Sequence, residues 1–558
     1  MRNQSLFLLS AAALLLTSCS GKLGALSADN FSVTPNPLET QAGEVPATIN
    51  GMFPEKYMNK KAVVTVTPVL RFQTTNGVQS VQGNSATFQG EKVQGNDQTI
   101  SYLVGGRYTM KTNFKYQPEM HQSDLYLTFK AKVGKKEVEV PEVKVATGII
   151  STSELYKRTL TSAQGAIAED AFQRIIEQKQ EANVKFLIGQ AQLRKSELQN
   201  NSVQEFVRLL NEIAKDQEGK VLDGIEVSAY ASPDGGYQLN EQLADKREKV
   251  TEEYVQQQMK RIGGESPIDA KYTAEDWEGF QELVAQSDIQ DKDVILRVLS
   301  MYKDPEEREQ QIKAISSAFR ELADGILPQL RRARLTANYQ LIGRDDDQIK
   351  AQISSDPSKL SVEELLYGAT LYDEDAKSTE NVYKKVVELY PNDARAYNNL
   401  AAMAYNKGNY TEAAQWLEKA KRVNANLPEI NANQGLLALQ KGDFNAAETY
   451  IAKASSANGV QEVIGNLHLA QGKYAQAEAD FAKTNSNSAA LAQIMNKNYA
   501  AAATTLKNVQ NPDGMTEYLK AIVAARTGKK SEVANALQAA FAKDPSLRQY
   551  ADKDLELK

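Results

Sequence analysis

The chain has 558 residues, with 65 Lys and Arg against 71 Asp and Glu, a formal net charge of −6 and 24% charged residues. That balance excludes a cationic nucleic-acid surface. It has only two histidines and one cysteine, too few for a transition-metal site or a disulfide frame, so neither metal nor cofactor is expected. The sequence has no Gly-x-Ser-x-Gly elbow, phosphate loop or dinucleotide fingerprint. At about 100–200 residues per domain the length implies several domains.

The first residues carry Arg2, an apolar run from Leu6 to Leu16, and small residues before Cys19. This is the pattern of an export signal over 1–18, too short to anchor in a bilayer as a helix. Leu16-Thr17-Ser18-Cys19 resembles a bacterial lipobox. The resemblance implies that Cys19 is acylated, that 19–31 is a tether, and that the outer membrane is the first partner. Ser20-Gly21-Lys22-Leu23-Gly24 lacks the acidic run used for surface display, and Ser20 is not the aspartate of inner-membrane retention. The expected location is therefore the outer membrane, facing the periplasm.

Residues 32–150 are rich in β-branched residues between turn signals. Ala62 to Phe72, Ser101 to Tyr116 and Asp124 to Val133 are the expected strands; in the last, Leu125, Leu127, Phe129, Ala131 and Val133 alternate with more polar residues. Gly134-Lys135-Lys136 turns the chain into a strand where Pro141 favours an edge or a bulge. The expectation is an antiparallel, immunoglobulin-like β-sandwich serving as a spacer beside the anchor.

Residues 151–346 are predicted to run strand, helix, strand, helix, strand. Asn183 to Leu198 supplies a strand, a turn and a helix start, and Ser202 to Lys215 has Val203, Phe206, Val207, Leu210 and Ile213 on one stripe. A strand ending at Tyr230 enters the Pro233-Asp234-Gly235-Gly236 turn and the Leu239 to Met259 helix, and Arg332 to Gly343 closes the order. The motif Tyr230, Gly235, Asn240-x-x-Leu243-Ala244-x-x-Arg247 resembles the α+β OmpA-like domain in its "YASPDG" variant. The resemblance implies peptidoglycan binding, with the arginine that grips the stem peptide falling on Arg247. The family's aspartate falls on Ser232, so Asp234 is the candidate replacement, and Asn240 completes the set. The helical insertion over 273–331 also matches that variant, and Trp277 and Phe280 within it are expected in a core.

Residues 358–558 repeat. Gly408 and Gly442 lie 34 residues apart, each followed by Asn or Asp, an aromatic and then Ala413 or Ala447, with weaker copies at Gly472, Lys497 and Gly528. This period resembles the tetratricopeptide repeat and implies an α-solenoid of about six helix pairs. Spacings of 30 and then 25 residues after Gly442 imply shortened later helices. By that resemblance Arg395, Asn398, Tyr405 and Asn406 face a groove for an unidentified envelope protein.

The whole is expected to be a non-catalytic outer-membrane scaffold with peptidoglycan and protein contacts. A surface-exposed binding lipoprotein without wall contact is the alternative. A cell-wall hydrolase remains a further one, but 71 acidic residues make no carboxylate pair specific.

Overall fold

The computed structural model describes residues 23–289, 291–314, 320–372 and 375–557. The expected signal segment 1–18 and Cys19 lie outside the described residues. The described parts of Met1–Glu169 and Glu374–Lys558 form one compact unit, and those of Asp170–Asp373 a second.

In the first unit, β1 (Phe31–Thr34), β3 (Glu44–Phe53) and β8 (Gly106–Lys115) form one sheet, in the order β1-β3-β8. The other sheet runs β2 (Leu38–Glu39), β10 (Lys136–Ile150), β9 (Ser123–Val133), β4 (Ala62–Thr74), β6 (Ala86–Gly90), β7 (Gln98–Ile100), with β5 (Gly77–Gln82) also on β4. Ile49, Phe53 and Phe114 of the first sheet share a core with Val64, Leu125 and Leu127 of the second. The expected all-antiparallel pairing needs correction: β2 on β10 and β7 on β6 are parallel. Both strands are too short to show a period of two, which is why the sequence pattern misses them. The register of β10 slips between Val140 and Val143, around Pro141, which cannot donate to the ladder.

The repeat helices of this unit begin with Ala376–Leu389. The pairs Ala394–Asn406 with Tyr410–Val423, Pro428–Gln440 with Phe444–Ile451, Val460–Ala470 with Tyr474–Asp480, Asn487–Met495 with Tyr499–Lys507, and Gly514–Arg526 with Lys530–Lys543 follow. Ala413 and Ala447 are fully buried where the helices of a pair touch. Gly408 and Gly442 turn the chain between partners at φ +76° and +73°, a conformation that costs glycine little. The shortening falls on the middle of the array, 7 residues in Tyr474–Asp480 and 9 in Tyr499–Lys507 against 14 in Tyr410–Val423, and the last pair returns to 13 and 14 residues.

Two expected boundaries move. Ser151–Glu169 belongs to the first unit, not to the central domain, because its apolar side chains Leu155, Tyr156, Leu160 and Ala166 are buried among the repeat helices. The Val362–Thr370 helix, expected to open the repeats, clusters with the central unit.

The second unit is built on a four-stranded mixed sheet, in the order β11 (Ile175–Lys185), β14 (Arg332–Ile342), β12 (Lys220–Tyr230), β13 (Ile268–Thr273). Only the β12–β13 pair is parallel. Helices Asn201–Lys215 and Tyr237–Ile262 bury Val203, Phe206, Leu210 and Val255 against Ile225, Val227 and Leu335 of the sheet. The expected order therefore gains a fourth strand, β13, between the second helix and the insertion. β11 begins eight residues before the predicted Asn183, since Ile175 to Glu181 is largely exposed and polar and its strand character comes from pairing with β14. The insertion packs around its own core of Phe280, Val284, Ile295, Leu299 and Leu330, beside which Trp277 lies part-buried.

Candidate functional site

Among the described residues, no group of His, Cys, Asp and Glu side chains is placed to hold a metal ion. No helix among them is long and apolar enough to cross a membrane.

In the central unit the turn after β12 gathers Ser232, Asp234, Asn240 and Arg247. Arg247, buried in the Tyr237–Ile262 helix, donates from Nε to Gln190 O at 3.0 Å, from Nη1 to Tyr230 O at 2.9 Å and from Nη2 to Leu187 O at 3.3 Å. Its guanidinium also lies 5.1 Å from the centre of the Phe186 ring. These contacts tie the loop after β11 to the end of β12, so Arg247 holds the framework together. Burial is the main reason its pKa is pulled down to about 10, with the nearby Arg331 charge adding to the effect.

Ser232 Oγ donates to Asp234 Oδ1 at 2.5 Å. Arg331 grips both, through Nε to Ser232 Oγ at 3.1 Å and Nη2 to Asp234 Oδ2 at 2.7 Å. The turn thus points Asp234 inward, next to Ser232. Asn240 donates to Gly235 O at 2.8 Å and to Glu275 Oε1 at 3.3 Å, bracing the turn from behind.

Arg331 was missed by sequence reasoning, although Arg331-Arg332-Ala333-Arg334 at the start of β14 was a visible basic run. Arg332 pairs with Asp276 at 2.9 Å, and Arg334 donates to Tyr230 Oη at 2.7 Å. The cluster therefore carries the guanidinium groups of residues 247, 331, 332 and 334 beside the carboxylates of Asp234 and Asp276. Leu187, Ile188, Tyr237 and Leu239, from the adjoining loop and helix start, are exposed.

The inner face of the repeat helices is occupied by the chain itself. Between Ala163 and Glu169 the backbone runs without helix or strand. Asn433 Oδ1 accepts from Ala166 N at 2.7 Å, while Asn433 Nδ2 and Asn398 Nδ2 donate to Ala166 O at 2.8 and 2.9 Å. Asn399 treats Ala168 the same way, accepting from its N at 2.8 Å and donating to its O at 2.9 Å. Asn406 Oδ1 accepts from Gly165 N at 2.8 Å, and Tyr405 Oη donates to Leu160 O at 3.2 Å. Arg395 pairs with Asp393 at 2.7 Å and reaches Glu169 O at 3.5 Å. All four residues expected to face a partner therefore touch residues 160–169. Asn399 and Asn433 were not anticipated; Asn433 lies 35 residues after Asn398, one position more than the spacing of the best repeats.

The sandwich meets the same array. Tyr550 and Ser151 share a hydrogen bond at 3.1 Å, Ser151 Oγ lies 3.1 Å from His121 Nδ1, and Arg526 pairs with Glu39 at 2.7 Å and with Glu556.

A family model described as tetratricopeptide repeat matches residues 374–428, and a second matches 428–461. The C-terminal region is a tetratricopeptide-repeat array. Among solved structures, a tetratricopeptide repeat protein from Parabacteroides merdae is 16% identical, with 38% of this chain and 90% of that chain covered at a TM-score of 0.29. PilF of Pseudomonas aeruginosa is 17% identical over 38% of this chain and 97% of that one, TM-score 0.26. The match to the APC/C hetero-tetramer Cut9–Hcn1 has 16% identity and a TM-score of 0.30, and covers 37% of this chain and 44% of that one. Tetratricopeptide repeats are in general non-catalytic and serve protein–protein contacts, which suggests a scaffold role for the array.

Proposed function

We propose that the protein is a non-catalytic envelope scaffold, anchored in the outer membrane through acylated Cys19 and facing the periplasm, whose OmpA-like central domain holds the peptidoglycan stem peptide. The observation that carries this is the inward carboxylate of Asp234, held by Ser232 and Arg331 beside the buried Arg247. Asp234 supplies the acidic half that Ser232 lacks. A stem peptide presents an ammonium and a carboxylate together, and a carboxylate next to a guanidinium meets both. Arg331, which already forks onto Ser232 and Asp234, is the residue placed to receive the ligand carboxylate, while Arg247 keeps the turn in position.

Cosedimentation of the full chain with purified peptidoglycan tests this. The wild type is expected to sediment and to be released by salt, and Asp234→Asn to weaken binding about tenfold, the usual scale for losing one charged hydrogen bond. A wild type that stays in the supernatant at low salt sinks the wall-binding claim. Metabolic labelling with palmitate, compared with Cys19→Ser, tests the anchor.

A further inference from the structure

Residues 160–169 do not fill the whole inner face of the repeats. Past Ser162 and Gln164 the face opens into a cavity of about 680 Å³, whose walls include Glu462, Lys483, Asn487 and Asp513. Glu462 sits in the first turn of the Val460–Ala470 helix. Among the described residues no side chain offers it a hydrogen bond or an opposite charge, and Lys483 on the same wall forms no ion pair with it. Asp513 differs, since it accepts from Asn487 Nδ2 at 3.0 Å and from Thr516 N at 2.8 Å.

A half-buried carboxylate without a counter-charge is a standing electrostatic deficit, and burial pushes the Glu462 pKa up to about 7. An arriving ammonium or guanidinium removes that deficit; a second anion deepens it. The surroundings suit a polypeptide. Asn485, Asn508 and Asn511 line the same cavity, and a few ångströms of chain away the same face grips the main chain of Ala166 and Ala168 with asparagine side chains.

We propose that this cavity receives a lysine or arginine side chain from an extended segment of a partner protein, with Glu462 as its counter-ion and the neighbouring carboxamides holding its main chain. The proposal rests on the reading that the repeats carry protein contacts, and it places one such contact beside the self-occupied stretch.

The test is calorimetric titration of the full chain at pH 8, where Glu462 is anionic, with acetyl-Gly-Ala-Lys-Ala-Gly-amide and with the same peptide carrying norleucine in place of lysine. The lysine peptide is expected to bind at least about tenfold more tightly, and Glu462→Gln to erase the difference while leaving the norleucine peptide unchanged. Gln removes an unpaired charge, so the variant is expected to fold. Equal binding of the two peptides, or a lysine preference that survives Glu462→Gln, overturns the Glu462 site while leaving the repeats as a peptide surface. Binding of neither peptide overturns the site and this face as a contact surface together.

Discussion

Asn398 donates to the carbonyl of Ala166 at 2.9 Å across 232 residues of chain, and Asn433 closes on the same residue from the next repeat. Both the N–H and the C=O of Ala166 are thereby satisfied by carboxamides. The grip reads main chain, so it tolerates the small side chains of the Ala163–Glu169 stretch.

Replacing Asn433 by Ala leaves the buried N–H of Ala166 without its acceptor. The expected loss is about 2–3 kcal/mol in the stability of the first unit, read by chemical denaturation. Asn433→Asp, which turns a buried carboxylate oxygen toward Ala166 O and Asn398 Oδ1, is expected to cost at least as much as Ala. An unchanged midpoint for Asn433→Ala contradicts the clamp.

At Gly165 the 160–169 segment, a strap along the repeat helices, leaves no room for a side chain. A Cβ added there meets the Cα and Cβ of Ala402 at 2.8 Å. Gly165→Val is therefore expected to lift the strap locally and expose residues 163–169 to protease, with the repeat helices still folded by circular dichroism. Cleavage as slow as in the wild type would mean that the helix yields instead.

The resemblance to the tetratricopeptide repeat implies that Asn398 and Tyr405 share one face, and both touch residues 160–169. The occupant was not legible in the sequence. Ala163–Glu169 has neither a helical nor a strand period, and its place is set by hydrogen bonds from residues more than two hundred positions away. The same limit hid the polar strand β11, whose character comes from pairing, and Arg331, whose partners Ser232 and Asp234 lie about a hundred residues earlier. Tyr230 and the turn were visible because they are local.

Arg247 and Asp234 separate two kinds of effect in the central unit. Arg247→Met removes the donors from the carbonyls of Leu187, Gln190 and Tyr230, and is expected to cost about 3 kcal/mol of stability. Hydrogen exchange should show the loop after β11 opening in this variant. Loss of peptidoglycan binding there would report the framework, whereas Asp234→Asn tests the ligand contact. A fully stable Arg247→Met would show that the loop is held by other means.

Lys497 stands where the better repeats have glycine, and takes φ +64° between the Asn487–Met495 and Tyr499–Lys507 helices. A side chain in the left-handed region costs energy that glycine avoids, and the native φ exceeds any entropy advantage of lysine in the unfolded chain. Lys497→Gly is expected to raise stability by about 0.5–1 kcal/mol, measured by urea denaturation. A loss of stability would show that the Lys497 side chain makes a compensating contact.

Glu462 gives the first unit a pH dependence of predictable sign. Its folded pKa of about 7 lies above the ordinary value of 4.5, so between those limits the folded protein binds more protons than the unfolded chain. Stability from this group is therefore greatest below pH 4.5 and falls as pH rises toward 7. Glu462→Gln removes the dependence. The variant should match the wild type near pH 4.5 and exceed it by about 3 kcal/mol at pH 8, from roughly 1.4 kcal/mol per pKa unit. His121 works in the opposite direction: burial lowers its pKa below 6.5, so its contribution is kept at neutral pH and lost on acidification. Comparing Glu462→Gln with wild type at each pH cancels the histidine and every other shared group. A difference that is flat from pH 4.5 to 8 would place the Glu462 carboxylate in water, and with it remove the reason for a basic side chain to enter the cavity.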